Sequence, residues 1–193
     1  MHKPLILAAA VATLALPAAA QADGAPSPAD KRNAAQECRT ERGTTAATRE
    51  AFAQHYGTNK NKKNAFGRCV SRKAADEQTE RVDAQDGARQ ACTTEQGTTP
   101  ESRAAFQAKY GTNKNKKNAF GKCVSQQAKT LKDQADEADQ AAATARRAAA
   151  KQCDDERGDT AESRQAFAQK YGTNKNKANA FGKCVSKAAK AKS

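Results

Sequence analysis

Six cysteines fall into three pairs, Cys38 with Cys69, Cys92 with Cys123 and Cys153 with Cys184, and the members of each pair are 31 positions apart. Six cysteines permit 15 pairings, and one equal-spaced bridge per repeat is the only one that treats the three segments alike. Around each second cysteine the chain writes nearly the same sixteen residues, from Tyr56, Tyr110 and Tyr171: Y-G-T-N-K-N-K-x-N-A-F-G-[RK]-C-V-S. A block this rigid in a chain that otherwise drifts marks a repeated module. Aromatic residues make up 5% of the sequence and Trp is absent, so one large core is out of reach. Small units stapled one by one are the alternative. Each bridge would contribute roughly 3–4 kcal/mol. A metal site would want C-x₂-C pairs or added histidines, and His55 is the only histidine beyond the first few residues.

Residues 1–22 read as an export leader: Lys3, an apolar run from Leu5 to Leu16, then Pro17 and small residues offering cleavage after Ala20 or Ala22. The run is too short to span a bilayer. It holds no cysteine for a lipid anchor, and no later stretch is apolar enough for a membrane span. Export suits disulfides.

The expected fold class is all-α, with three small disulfide-stapled helical modules joined by long helical linkers. The divisions are repeat 1 over 31–73, a linker over 74–87, repeat 2 over 88–127, a helical linker over 128–148 and repeat 3 over 149–193. In each module a first helix carries the leading cysteine and ends at Gly43, Gly97 or Gly158. A second starts at Thr45, Thr99 or Thr160. Thr99 before Pro100 is the strongest of these entry signals. It carries Phe52 and Tyr56 (or Phe106 and Tyr110, Phe167 and Tyr171) on one face and stops at the next glycine. The third begins within T-N-K-N-K-x-N, where several residues could cap it. Phe66 and Val70 lie four apart on it, beside Cys69, so that face can meet Phe52, Tyr56 and Cys38. Gly67 costs about 1 kcal/mol in a helix, and its presence in all copies suggests close approach of another backbone. Glu41, Glu95 and Glu156 each oppose their own helix dipole, as do Arg49, Arg103 and Arg164 across the turn. This suggests a structural ion pair within each module.

The linkers differ by seven residues, which preserves the facing of a continuous helix. Gly87 makes the first less secure; the second holds neither Pro nor Gly. If both are helical, adjacent bridges stand roughly 35 and 45 Å apart, as beads on a rod.

Formal net charge is +13, and residues 57–73, 111–127 and 172–193 contain no acid. In the repeated turn Lys60, Lys62, Lys114, Lys116, Lys175 and Lys177 are lysine in every copy, while Arg68 exchanges with lysine. Together with a helix N-terminus they form a candidate site for phosphate, sulfate or carboxylate. Lysines and asparagines in turns also serve simply as solvated surface and as turn formers. The turn lacks the alternate acidic oxygens of a Ca²⁺ loop, His55 is Lys109 and Lys170 in the other copies, and no nucleophile or phosphate-loop pattern occurs. No catalytic residue, metal or cofactor is therefore expected.

The G-T-N-x-N-K-x-N-A-F-G-K-C-V-S string resembles a repeat of exported bacterial proteins of unknown function. It covers three modules of roughly 35 residues. The resemblance implies secretion and no particular activity. The leading expectation is an exported protein that engages anionic cell-wall or surface polymers, without specific nucleic-acid readout. The alternative is a structural spacer or a protein-interaction scaffold without a specific polyanion ligand, its partner an envelope protein.

Overall fold

The computed structural model describes residues 24–191, so the leader over residues 1–22 lies outside the described residues. Among the described residues seven helices follow one another: α1 (Pro28–Arg42), α2 (Ala46–Tyr56), α3 (Ala65–Gln96), α4 (Pro100–Tyr110), α5 (Ala119–Arg157), α6 (Ala161–Tyr171) and α7 (Ala180–Lys190). No strand occurs among the described residues. Local chemistry explains where α1 and the three short helices α2, α4 and α6 begin. Ser27 and Asp30 form a reciprocal capping box before α1, with Pro28 at its first position. Thr45, Thr99 and Thr160 accept from the backbone N–H three residues on, at 3.2, 3.1 and 3.1 Å. Gly43, Gly97 and Gly158 follow α1, α3 and α5 at φ near +60°, where a side chain would be strained.

The three bridges pair as the spacing predicts: Cys38 to Cys69, Cys92 to Cys123 and Cys153 to Cys184, each with Cα atoms 6.0 Å apart. Five of these cysteines are wholly buried and Cys184 is 2% exposed, so every bridge lies inside its module. Around them the same small core is built three times. The Phe and Tyr rings of the short helix lie 4.9 Å apart, and that Phe lies 6.4 Å from the Phe of the following helix. The linkers are interior turns of longer helices. α3 carries both Cys69 and Cys92 over 32 residues, and α5 carries Cys123 and Cys153 over 39. Cys38 and Cys184 are the two end members, each alone on its helix, α1 and α7. Gly87 does not interrupt α3. An added Cβ there would lie 3.3 Å from Leu131 of α5, so the glycine sits at a helix crossing.

That crossing corrects the straight rod. α5 runs back along α3: Lys132 Nζ meets Glu80 at 3.1 Å and Glu77 at 2.8 Å, and Lys73 Nζ meets Asp139 at 2.8 Å. α1 lies alongside both, with Glu37 2.9 Å from Lys73 and Asp30 3.4 Å from Arg81. The three helices bury Ala34, Ala74, Ala88 and Ala143. Straight helices would leave that alanine surface in water, whereas folding back removes it and pairs the linker charges across the seam. Module 2 consequently stands alone at one end of a hairpin. Modules 1 and 3 meet at the other, where Ala47 and Ala51 of α2 pack with Ala149, Ala150, Phe181, Cys184 and Val185.

The glutamate–arginine pairs are also corrected. Glu41, Glu95 and Glu156 instead accept from the hydroxyls of Tyr56, Tyr110 and Tyr171 at 2.8, 2.8 and 2.9 Å. Each glutamate faces the C-terminal end of the next helix, beyond the reach of an arginine in that helix's first turn. Arg49 and Arg164 turn back to the carbonyls of Thr44 and Gly158, where the preceding helix presents its negative end. Lys109 and Lys170 complete the glutamate contacts in modules 2 and 3, at 2.5 and 2.6 Å. Module 1 has His55 at that place, stacked edge-on to Tyr56 at 4.4 Å. Its Glu41 receives Arg146 from α5, 105 positions away.

Glu41 keeps 2% of its side chain exposed and Arg146 27%. Arg146→Met should therefore lower unfolding free energy by about 2–3 kcal/mol, below the full cost of orphaning a buried charge because Arg146 is partly solvated. Lys109→Met, at an exposed pair, should leave the chemical-denaturation midpoint almost unchanged.

Candidate functional site

The repeated turn has one geometry in all three modules. After α2 the chain turns at Gly57, and Lys62 adopts a left-handed conformation at φ 56°, as do Lys116 and Lys177. Lys62 Nζ then donates to the Gly57 carbonyl at 2.9 Å, with 2.8 and 3.0 Å in the copies. A cation on the last carbonyls of a helix is favourable. The glycine is required by contact, since a Cβ at Gly57 would lie 2.6 Å from the Ala53 carbonyl oxygen and 2.8 Å from Lys62 Cβ.

Two of the three asparagines in each turn are occupied too. Asn64 Oδ1 accepts from Thr58 N at 3.1 Å and Asn59 N at 3.5 Å, and its amide donates to the Thr58 hydroxyl at 2.7 Å. Asn61 accepts from Lys63 N at 3.1 Å. The third helix thus starts at Ala65, Ala119 or Ala180 without a side-chain cap, because Asn64, Asn118 and Asn179 reach back into the turn. Invariant Asn and one invariant Lys hold the loop's shape.

The six candidate lysines therefore separate into two sets. Lys62, Lys116 and Lys177 belong to the loop's frame, each with one N–H committed to a carbonyl. Lys60, Lys114 and Lys175 are exposed, and their ammonium groups make no hydrogen bond or ion pair among the described residues. Beside the turn of module 1 a cavity of about 400 Å³ is lined by His55, Tyr56, Thr58, Arg68, Ser71 and Arg72. Burial, then the charge on Arg146, lowers the His55 pKa, so the ring adds no charge there at neutral pH. Burial and Glu41 push the Tyr56 hydroxyl up to about 12. The positive charge of this notch is that of Arg68 and Arg72.

Gly67 does not mark an internal backbone approach. A Cβ on Gly67 or Gly121 would have nothing within 4 Å, and on Gly182 it would meet the Gln54 side chain at 3.2 Å.

A second polar cluster has no counterpart in the sequence reading. A cavity of about 430 Å³ between α1, α3 and α5 is lined by Glu37, Lys73, Glu77, Asp136 and Asp139, among others. Oxygens of Glu37, Glu77 and Asp136 lie within 4.8 Å of one another, a spacing that could hold a metal ion. The places a cation would take are filled by ammonium groups, Lys73 on Glu37 and Lys132 on Glu77 and Asp136. Burial opposes the charge on Lys73, but the hydrogen bonds it donates to Asp139 and Glu37 outweigh it and raise its pKa. Burial and the neighbouring Glu77 carboxyl push Glu37 up to about 7, against the pull of Lys73. Glu77, Lys132, Asp136 and Asp139 lie on the linkers, and Glu37 and Lys73 belong to the first repeat but have no charged counterpart pair in the other two. Their only trace in the sequence is a lysine at each edge of an acid-rich run.

Comparison of the chain with protein-family models, with curated proteins and with solved structures gives no match.

Gly57→Ala should lower stability by about 1–3 kcal/mol in thermal melts, the usual cost of overpacking, although φ there is −71° and open to any residue. The Glu37 carboxyl, ordinarily near 4.5, binds its proton more tightly when folded. The folded state therefore carries more protons between about 4.5 and 7, and this contribution to stability declines as pH rises through that window. Denaturant midpoints of Glu37→Gln should fall less over the same interval than those of the parent.

Proposed function

We propose that this is an exported, non-enzymatic helical-repeat protein that binds anionic polymers of the cell envelope through its basic turns. The observation that carries the reading is the exposed, unpaired lysine at the same place in three acid-free turns: Lys60, Lys114 and Lys175. Lys63 and Lys117 extend it in two modules, and Arg68 and Arg72 extend it in the first. Lysine ammoniums suit phosphate and carboxylate groups as point charges. The hairpin spreads the sites, with two modules at one end and one at the other. A polymer long enough to reach both ends gains through multiple attachment. Bridges in every module and the absence of any long apolar helix among the described residues accord with an oxidising location outside a membrane.

The spacer reading has its own support. Lys62, Asn61, Asn64 and their copies are accounted for by the loop's internal hydrogen bonds, so their retention in the three copies does not by itself require a ligand.

The two readings separate on one triple variant, Lys60→Ala with Lys114→Ala and Lys175→Ala, tested on inorganic polyphosphate and on purified anionic wall polymer. A polyanion binder should bind both, weaken steeply between about 50 and 200 mM salt, and lose at least about tenfold in affinity in the variant, an energetic loss of about 1.4 kcal/mol. Its melting temperature should not move. Undiminished binding by the variant, or none by the parent at low salt, would leave the spacer.

A further inference from the structure

The three modules share a core but differ in what covers one face of it. In module 3, Phe181 and Val185 are 4% and 3% exposed because α2 of module 1 lies across them. Gln54 reaches Gly182, and Glu50 binds Arg157 at 2.8 Å, whose guanidinium stacks on Phe181 at 4.5 Å. The face that accepts this helix is Ala150, Arg157, Phe181, Gly182 and Val185. Module 1 repeats it residue for residue as Ala35, Arg42, Phe66, Gly67 and Val70, with Arg42 over Phe66 at 5.6 Å. Among the described residues nothing lies on it. Phe66 and Val70 are only partly buried, Gly67 faces open space, and Arg42 meets no carboxylate. Module 2 lacks the match, since Arg89 and Gln96 replace the alanine and arginine.

We propose that this face of module 1 is a self-association surface that takes helix α4 of a second copy. The internal α2–module 3 contact shows the kind of occupant, a threonine-capped short helix presenting small residues. α4 is that helix at the free end of the hairpin, where among the described residues it packs only on α3 and α5. Ala105 stands where α2 has Ala51, Ala104 where it has Glu50 and Ala108 where it has Gln54, and all three are exposed. Charge agrees as well. Ala47 of α2 lines the same cleft as Asp154, whereas the corresponding pair in the proposed contact is Glu101 with Arg39, both exposed. α6, with Gln165 and Gln169 at two of these places, is the poorer fit. Modules 1 and 2 sit at opposite ends of α3, so two such contacts related by a two-fold axis close a dimer. An otherwise idle glycine in the first turn of α3 then has a use, because it admits the neighbouring helix.

Sedimentation velocity on the oxidised mature chain tests this at concentrations from about 10 µM to 1 mM, the range of a small interface. The expected result is a concentration-dependent shift from one copy to two. Gly67→Leu and Ala105→Glu should each raise the dissociation constant at least about tenfold, about 1.4 kcal/mol, with helical content retained. Arg39→Glu should do the same and be restored by adding Glu101→Arg. Gly121→Leu, on the unmatched face of module 2, should leave association unchanged. A monomer throughout the range overturns the proposal, as does association indifferent to Ala105→Glu. Ala105 is exposed, so that arm stands even if Gly67→Leu fails to fold.

Discussion

Two lysines set the register of the whole molecule. Lys73 and Lys132 leave one long helix and enter carboxylates of the next, and between them they fix how α3, α5 and α1 slide past one another. Alanine surfaces are poor at this. They are nearly featureless, so burial alone would permit several offsets of similar energy. A partly buried ammonium with two or three carboxylate partners does not permit them, because a one-turn slip would strand a charge. Such pairs add modestly to net stability once desolvation is counted, and their contribution here is specificity. The position of every module follows from that register, including the meeting of modules 1 and 3.

Features written within a dozen residues are legible in the sequence. Thr99-Pro100 and Gly97 act locally, and both appear in the structure where expected. The equal spacing from Cys38 to Cys69, Cys92 to Cys123 and Cys153 to Cys184 is legible for another reason, because repetition exposes it. The hairpin is not legible, since it depends on pairs 66 and 105 positions apart whose partners lie in segments that read simply as good helix formers. The glutamates illustrate a subtler failure. Their invariance is visible, but tyrosine and arginine are equally available to sequence reasoning as partners. Only the direction in which the helix presents the side chain chooses tyrosine. The third case is Gly67, where a single reading cannot serve three copies that have different surroundings.

Within the candidate site the structure divides lysines that look alike in sequence. One of each pair supports the turn through a left-handed residue and a carbonyl, a use that invariance alone cannot distinguish from ligand binding. The other projects outward with nothing to hold. Two of the three asparagines in each turn, Asn61 and Asn64 in the first, fall on the supporting side. The basic turn is therefore a stiff mount carrying a few outward charges, an arrangement suited to charge recognition by position and number rather than by shape.

The placement of the bridges also decides how the chain would respond to being pulled. Each one short-circuits a loop that contains a short helix and its basic turn, so tension applied at the two ends runs through the cysteines and bypasses all three turns. The load falls on the seam between α3 and α5, which is alanine and charge and has no covalent tie between its two ends. Stretched, the molecule would open at that seam into an extended string of helices while its turns stayed folded, lengthening its reach without surrendering its charged surfaces.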